Sequence, residues 1–187
     1  MFKKLLLALV IIIIGLVVVI SLRPSHFSVS RSVTIAAAPD VVFPQVNELK
    51  KWEEWNPFIY KWEGMTPQGK LDPDAKMTYD GPPAGVGASY SWSGNNQVGE
   101  GKNTITESKP GELVKFKLDF IRPMKATNDV EFTFKPEGGN TVVTWTMTGE
   151  NGFVGKAFGL VVNCDKMCGD LFEKGLARMK AIVEGKK

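Results

Sequence analysis

The side chains that most often carry chemistry are sparse in this chain. Its one histidine, His26, stands just beyond a long apolar run at the N-terminus. Without a second histidine, neither a Ser–His nor a Cys–His nucleophile pair has a base to activate it inside the fold. Cys164 and Cys168 are the only cysteines and lie four apart in a helical pattern. Their spacing puts them on one face without orienting them for a disulfide, so they read as two buried, inert thiols. No cluster of Cys, His, Asp and Glu has metal-ligand spacing. Glu100, Glu107, Asp119, Asp129 and Glu131 fall on strand patterns. A carboxylate buried among aromatics can acquire a raised pKa suited to acid–base work. A cyclase or dehydratase needs two such groups to converge, however, and these read as solvated strand faces. The glycine-rich stretch Gly81–Gly87 precedes a strand and not a helix, so it lacks the helix N-terminus of a phosphate loop and reads as a hairpin.

The remaining candidates are apolar and aromatic. Trp52, Trp55 and Trp62 either gate a hollow or plug the sheet and fix short helices, and spacing three favours packing. Tyr90, Trp92, Phe116, Phe132, Trp145 and Met147 are expected to face a closing helix that contributes Phe158, Met167 and Leu171. A small-molecule site of this kind is mostly apolar with a few placed polar groups. The polar candidates are Tyr79, Asn103, Asn128 and Asp165, the last set within an apolar helical stripe. Together with Trp55 these residues form the expected ligand pocket. No catalytic residue, metal or cofactor is implied.

The elements that must position them follow from periodicity. Phe27, Val29, Arg31, Val33 and Ile35 alternate with Ser28, Ser30, Ser32 and Thr34, which is strand spacing. Pro39-Asp40 opens a helix that Pro44 should shorten or bend, and the tryptophan box Trp52-x-x-Trp55-Asn56-Pro57 follows. Further strands are expected at about 75–80, 87–93, 99–108, 112–120, 126–135 and 140–149. Glu137-Gly138-Gly139-Asn140 is a hairpin signal between the last two. From Phe153 to Val183 apolar residues recur at three- and four-residue steps, a helix with an expected break near Val162–Asn163. The fold class is therefore α+β: a curved antiparallel sheet of about seven strands around a long C-terminal helix, with two short helices after the first strand.

Residues 1–23 stand apart. Leu5 to Leu22 is apolar except for Gly15 and Ser21, and eighteen helical residues span about 27 Å, close to a bilayer's hydrocarbon core. A cleaved signal peptide is the weaker reading. Its apolar region would be shorter, and the nearest small-residue site, Ala36-Ala37-Ala38, lies inside the first fold element. Lys3 and Lys4 precede the span and Arg23 follows it, which predicts a cytoplasmic N-terminus and an extracytoplasmic domain. Residues 24–187 form one domain large enough for a real core. Removing residues 1–23 subtracts three basic and no acidic residues, leaving twenty of each from an overall charge of +3. No basic stripe remains to suggest nucleic acid.

Taken in order, Arg31–Ile35 with Ala38–Phe43, Trp52–Pro57, Gly87–Asn95, Val143–Met147 and Phe172–Leu176 resemble the START-like (SRPBCC) superfamily. Within it they are most similar to the bacterial polyketide cyclase/dehydrase-like proteins that share the helix-grip fold of Bet v 1. The resemblance covers the whole part after residue 23. It implies a pocket for an apolar ligand and leaves the ligand open, because such a fold hosts many functions. The expected function is membrane-tethered binding of a hydrophobic or lipid-like small molecule between sheet and helix. The alternatives are a cyclase or dehydratase on a hydrophobic substrate and a protein-interaction module like the superfamily's chaperone activators.

Overall fold

A computed structural model describes residues 2–58, 76–95 and 98–185. Trp62 lies outside the described residues. Helix α1 (Phe2–Leu22) is long and apolar enough to cross a membrane, a test that a signal sequence also passes. Only Ile20 of it is buried against the protein. Strand β1 (His26–Ile35) follows, then the one-turn helices α2 (Pro39–Val42) and α3 (Pro44–Asn47), a 3-10 turn (Leu49–Lys51) and α4 (Trp52–Trp55). Pro44 divides α2 from α3 because it has no N–H to continue the first helix. The chain recovers at once, with Phe43 N–H donating to Pro39 and Asn47 N–H to Phe43.

Among the described residues six further strands follow: β2 (Lys76–Asp80), β3 (Ser89–Ser93), β4 (Glu100–Lys109), β5 (Leu113–Arg122), β6 (Ala126–Glu137) and β7 (Asn140–Glu150). They form one antiparallel sheet in the order β1-β7-β6-β5-β4-β3-β2. Gly138 and Gly139 turn the β6–β7 hairpin at φ +56° and +84°, values that a side chain tolerates poorly. Helices α5 (Phe153–Phe158) and α6 (Cys164–Val183) close the chain. Asn163 caps α6, its Oδ1 accepting from Lys166 N–H at 2.9 Å, and so fixes where the long helix begins.

The two faces of the sheet differ as strand alternation requires. Outward residues pair across strands: Ser30 with Thr146 and Ser32 with Thr144 at 2.8 Å, Lys117 with Asp129 at 3.2 Å. Lys115 bridges Glu107 and Glu131 there, and Arg122 holds Glu100 at 2.7 Å. The hydrogen bonds from Lys109 and Lys115 hold the Glu107 carboxyl below its ordinary pKa. Asp119, the fifth strand carboxylate, accepts from the Thr127 hydroxyl at 2.6 Å, and none of the five points into the core. Inward residues make the core, with Val29, Ile35, Ile105, Val114, Phe116, Val130, Phe132, Phe134, Val143 and Trp145 buried against Phe172, Leu176 and Met179 of α6. Seven antiparallel strands wrapped on a long C-terminal helix are a helix-grip fold.

Candidate functional site

The space between sheet and α6 has two unlike halves. The deep half is filled by rings. Trp145 on β7 stacks on Phe172 of α6 with centroids 4.0 Å apart and planes 5° from parallel, and on Phe132 at 4.9 Å. Trp52 packs edge or tilted against Tyr90, Phe116, Phe132 and Trp145. Both tryptophans of the box are fully buried, and their indole N–H groups donate to Val46 and Gln45 carbonyls at 2.8 and 2.9 Å. Aromatic rings so packed act as a plug and hold α3 and α4 against the sheet, although the buried Trp145 Nε1 has no hydrogen-bond partner among the described residues. Trp55, Phe116, Phe132 and Trp145 therefore lie in the sealed half. Gly175 lets this happen: a Cβ there would stand 2.7 Å from Pro57 and 3.2 Å from Trp145.

The other half lies at the end of the sheet where β1 starts and β7 ends. Strand pairing aligns one inward row across it: Tyr79–Tyr90–Asn103–Leu118–Asn128–Gly149–Phe27. Three of the four polar candidates share this row. The Tyr79 hydroxyl donates to Glu53 at 2.7 Å, and burial reinforced by that bond raises its pKa. Burial pushes the Tyr90 hydroxyl up to about 12, so it stays neutral. The Asn103 amide donates to that hydroxyl at 3.4 Å, but its own Oδ1, on a residue 2% exposed, has no hydrogen-bond partner among the described residues. Asn128, also buried, donates its amide N–H to the Met147 sulfur at 3.8 Å. Around these amides Phe27, Leu118, Met147, Trp92 and Phe120 are half-buried. Trp92 lies across Gly101, where a Cβ would also meet the Asp119 carbonyl at 2.6 Å.

Three expected pocket residues are exposed. Phe158 is 50% exposed, Met167 is 49% exposed, and Asp165 is exposed at the start of α6. On α6 the core-facing stripe runs Cys168–Phe172–Leu176–Met179, and Met167 stands one residue, about 100°, off it. Leu171, one turn beyond Met167, is half-buried. Asp165 instead grips Arg31 through both carboxylate oxygens at 3.1 Å, and Glu173 takes the same guanidinium at 2.9 Å. Arg31's hydrogen bonds hold the Asp165 carboxyl below its usual range. The guanidinium lies over Gly169, so β1 is fastened to the first turns of α6 by a charged clamp. Arg31 was visible in the sequence only as one inward position of an alternating strand. Cys168 is half-buried beside the core. His26 pairs with Glu150 at 3.2 Å on the exposed surface, away from the aromatic rings.

What this arrangement can do is hold an apolar molecule against the row and offer it one carbonyl acceptor. Similar folds surround it. A structure from Thermobifida fusca aligns with a TM-score of 0.59 at 17% identity, covering 84% of this chain and 93% of that one. The Aha1 dimer from Colwellia psychrerythraea gives 0.56 at 14%, covering 84% and 96%. Ara h 8.0201 gives 0.50 at 10%, covering 86% and 99%. At these identities the likeness concerns the fold alone. No curated protein matches the sequence. Residues 26–184 match the family described as polyketide cyclase / dehydrase and lipid transport, and the chain belongs to that family.

Proposed function

We propose that the protein is a membrane-tethered binding module that holds a hydrophobic, lipid-like molecule at the open half of its concave sheet. The observation that carries this reading is Asn103. A buried amide oxygen without a partner costs free energy, and such groups in folded proteins ordinarily find one. Here the orphan oxygen belongs to a residue paired with half-buried Leu118, in a row that ends on half-buried Tyr79 and Phe27, a mixed lining expected of a site for an apolar ligand with a hydroxyl or amide donor. The family's description, which includes lipid transport, supports the same class of ligand. A cyclase reading lacks comparable support, because the strand carboxylates described above point outward, into ion pairs or, for Asp119, to the Thr127 hydroxyl.

On this reading residues 1–23 are the tether and residues 24–187 the binding domain, on the extracytoplasmic side. The test uses the full chain extracted in mild detergent and examined by native mass spectrometry, beside Asn103→Leu. A defined extra mass on the wild type, depleted at least tenfold in the variant, is the expected result. A wild type that is always empty, or a mass that the variant keeps in full, removes the reading.

A further inference from the structure

The described surface outside α1 exposes eleven large apolar side chains, and they are not scattered. Phe153, Val154, Phe158, Leu160, Val161 and Met167 are six of them, all on α5, the segment after it and the first turn of α6. Ile121 and Met124, at the β5–β6 hairpin, are two more at the same end of the sheet. Val161 is 83% exposed. Soluble monomers rarely gather apolar surface in this way unless something covers it.

The position of α1 says what covers it. Its last turn is bound to this same segment: Arg23 Nη1 donates to the Gly159 carbonyl at 2.9 Å, Lys156 Nζ to the Ser21 carbonyl at 3.5 Å, and Ile20 is buried there. An open cleft of about 510 Å³ lies at the junction, lined by Arg23, Lys156, Asn151 and Asn163 among others. If Leu5–Leu22 occupies the hydrocarbon layer, residues 21–23 end at the headgroups, and α5 is fixed at the same depth. The charges fit that depth. Residues 20–25 and 151–163 carry only Arg23 and Lys156, both positive. The nearest acids already have partners, Glu150 with His26 and Asp165 with Arg31.

We infer that α5 and residues 159–163 form a membrane-contact surface whose apolar side chains enter the acyl boundary. Arg23 and Lys156 face anionic lipid headgroups, and the cleft between them admits a headgroup. An apolar face flanked by cations is the pattern of chains that lie in the bilayer interface. The inference rests on the tethered reading of α1. It deepens that reading by placing the open half of the sheet, which lies at this end, directly above the lipid.

The test places a genetically encoded fluorescent amino acid at position 12, 161 or 112 of the full chain. Each is reconstituted in nanodiscs of phosphatidylglycerol and phosphatidylcholine, with the nitroxide carried high on the acyl chain of the phosphatidylcholine and its amount held constant. Glu112 is exposed on the β4–β5 turn, at the opposite end of the sheet. Quenching at 12 and 161 at least threefold above that at 112 is expected, with the value at 161 falling when phosphatidylglycerol is omitted. Replacing exposed Val154 and Leu160 by Glu should drop position 161 to the level of 112. Quenching at 12 but not at 161 overturns the inference and leaves the anchor standing. No quenching at 12 overturns the anchor itself. Equal quenching at 161 with and without phosphatidylglycerol overturns the part assigned to Arg23 and Lys156.

Discussion

Asn103 and Tyr90 give a double-mutant cycle in which the signs matter more than the sizes. In the wild type the Asn103 Oδ1 is unpartnered, and the amide nitrogen donates to the Tyr90 hydroxyl at 3.4 Å. An unsatisfied buried polar atom costs about 1–3 kcal/mol. Asn103→Leu removes that penalty but strands the tyrosine hydroxyl, so its net effect should lie within about 1 kcal/mol of zero. Tyr90→Phe strands the amide nitrogen as well as the oxygen and should destabilise by about 1–3 kcal/mol. The double variant leaves no orphan polar atom at either position and should exceed the wild type by about 1–3 kcal/mol, a strongly non-additive result for residues in contact. For a domain of this size each kcal/mol is roughly 2–4 °C in Tm, well within reach of tryptophan-emission melts on delipidated full chain in micelles. Binding of the co-purified molecule should move the other way and weaken with Asn103→Leu alone. A double variant no more stable than wild type would refute the reasoning, since it would mean that the oxygen already has a partner.

Other expectations concern the frame around the site. Gly175→Ala should destabilise the protein although alanine favours a helix by about 1 kcal/mol. The added Cβ meets Pro57 and Trp145, and overpacking of this kind costs about 1–3 kcal/mol; a raised Tm would show that α6 is not seated there. Trp145→Ala deletes the ring stacked on Phe172 and Phe132, and loss of about 3–5 kcal/mol should appear as a lower urea midpoint. Asp165→Asn should matter only above acid pH. The folded carboxyl is held below its ordinary value by Arg31, so its contribution is complete above the unfolded value of about 3.9 and is lost as pH falls through the depressed folded one. The gap between wild type and variant in urea midpoint should be flat from pH 7 to about 5 and vanish at strongly acid pH. A gap that persists in acid would mean that the clamp does not depend on that charge.

Local pattern carried most of the fold into the sequence. Alternation placed the last two strands at about 126–135 and 140–149, and they run Ala126–Glu137 and Asn140–Glu150. Pro44 marked the division of α2 from α3, and the glycines of α5–α6 marked a break that spans residues 159–163. The site was less legible because it depends on distant pairing. Nothing near Tyr79, Asn103 or Asn128 says that hairpin registers bring them to one row. Nor does anything near Arg31 say that Asp165 and Glu173 will meet it, since those partners come more than a hundred residues later. Phe158 and Met167 are exposed for more local reasons: Phe158 ends the short helix α5, and Met167 stands one residue off the stripe of Cys168, Phe172 and Leu176.

The division of the site into a plugged half and an open half bears on where its selectivity comes from. A ligand taken from water into this hollow would gain about 25 cal/mol for each Å² of apolar surface buried. A ligand taken from a bilayer gains almost none of that, because acyl chains are already as apolar as leucine. For a tethered protein drawing on the membrane beneath it, the half-buried lining of Leu118, Met147 and Phe27 can then only match what the lipid offers. Discrimination has to come from what the bilayer interior lacks, a fixed hydrogen-bond acceptor in a dry setting. Asn103 Oδ1 is such an acceptor, held by a strand and backed by Tyr90. The molecule selected should therefore carry one donor on an otherwise apolar body. An analogue with that donor methylated should be excluded from the wild type and indifferent to Asn103→Leu. Equal retention of both analogues by the wild type would mean that shape alone selects.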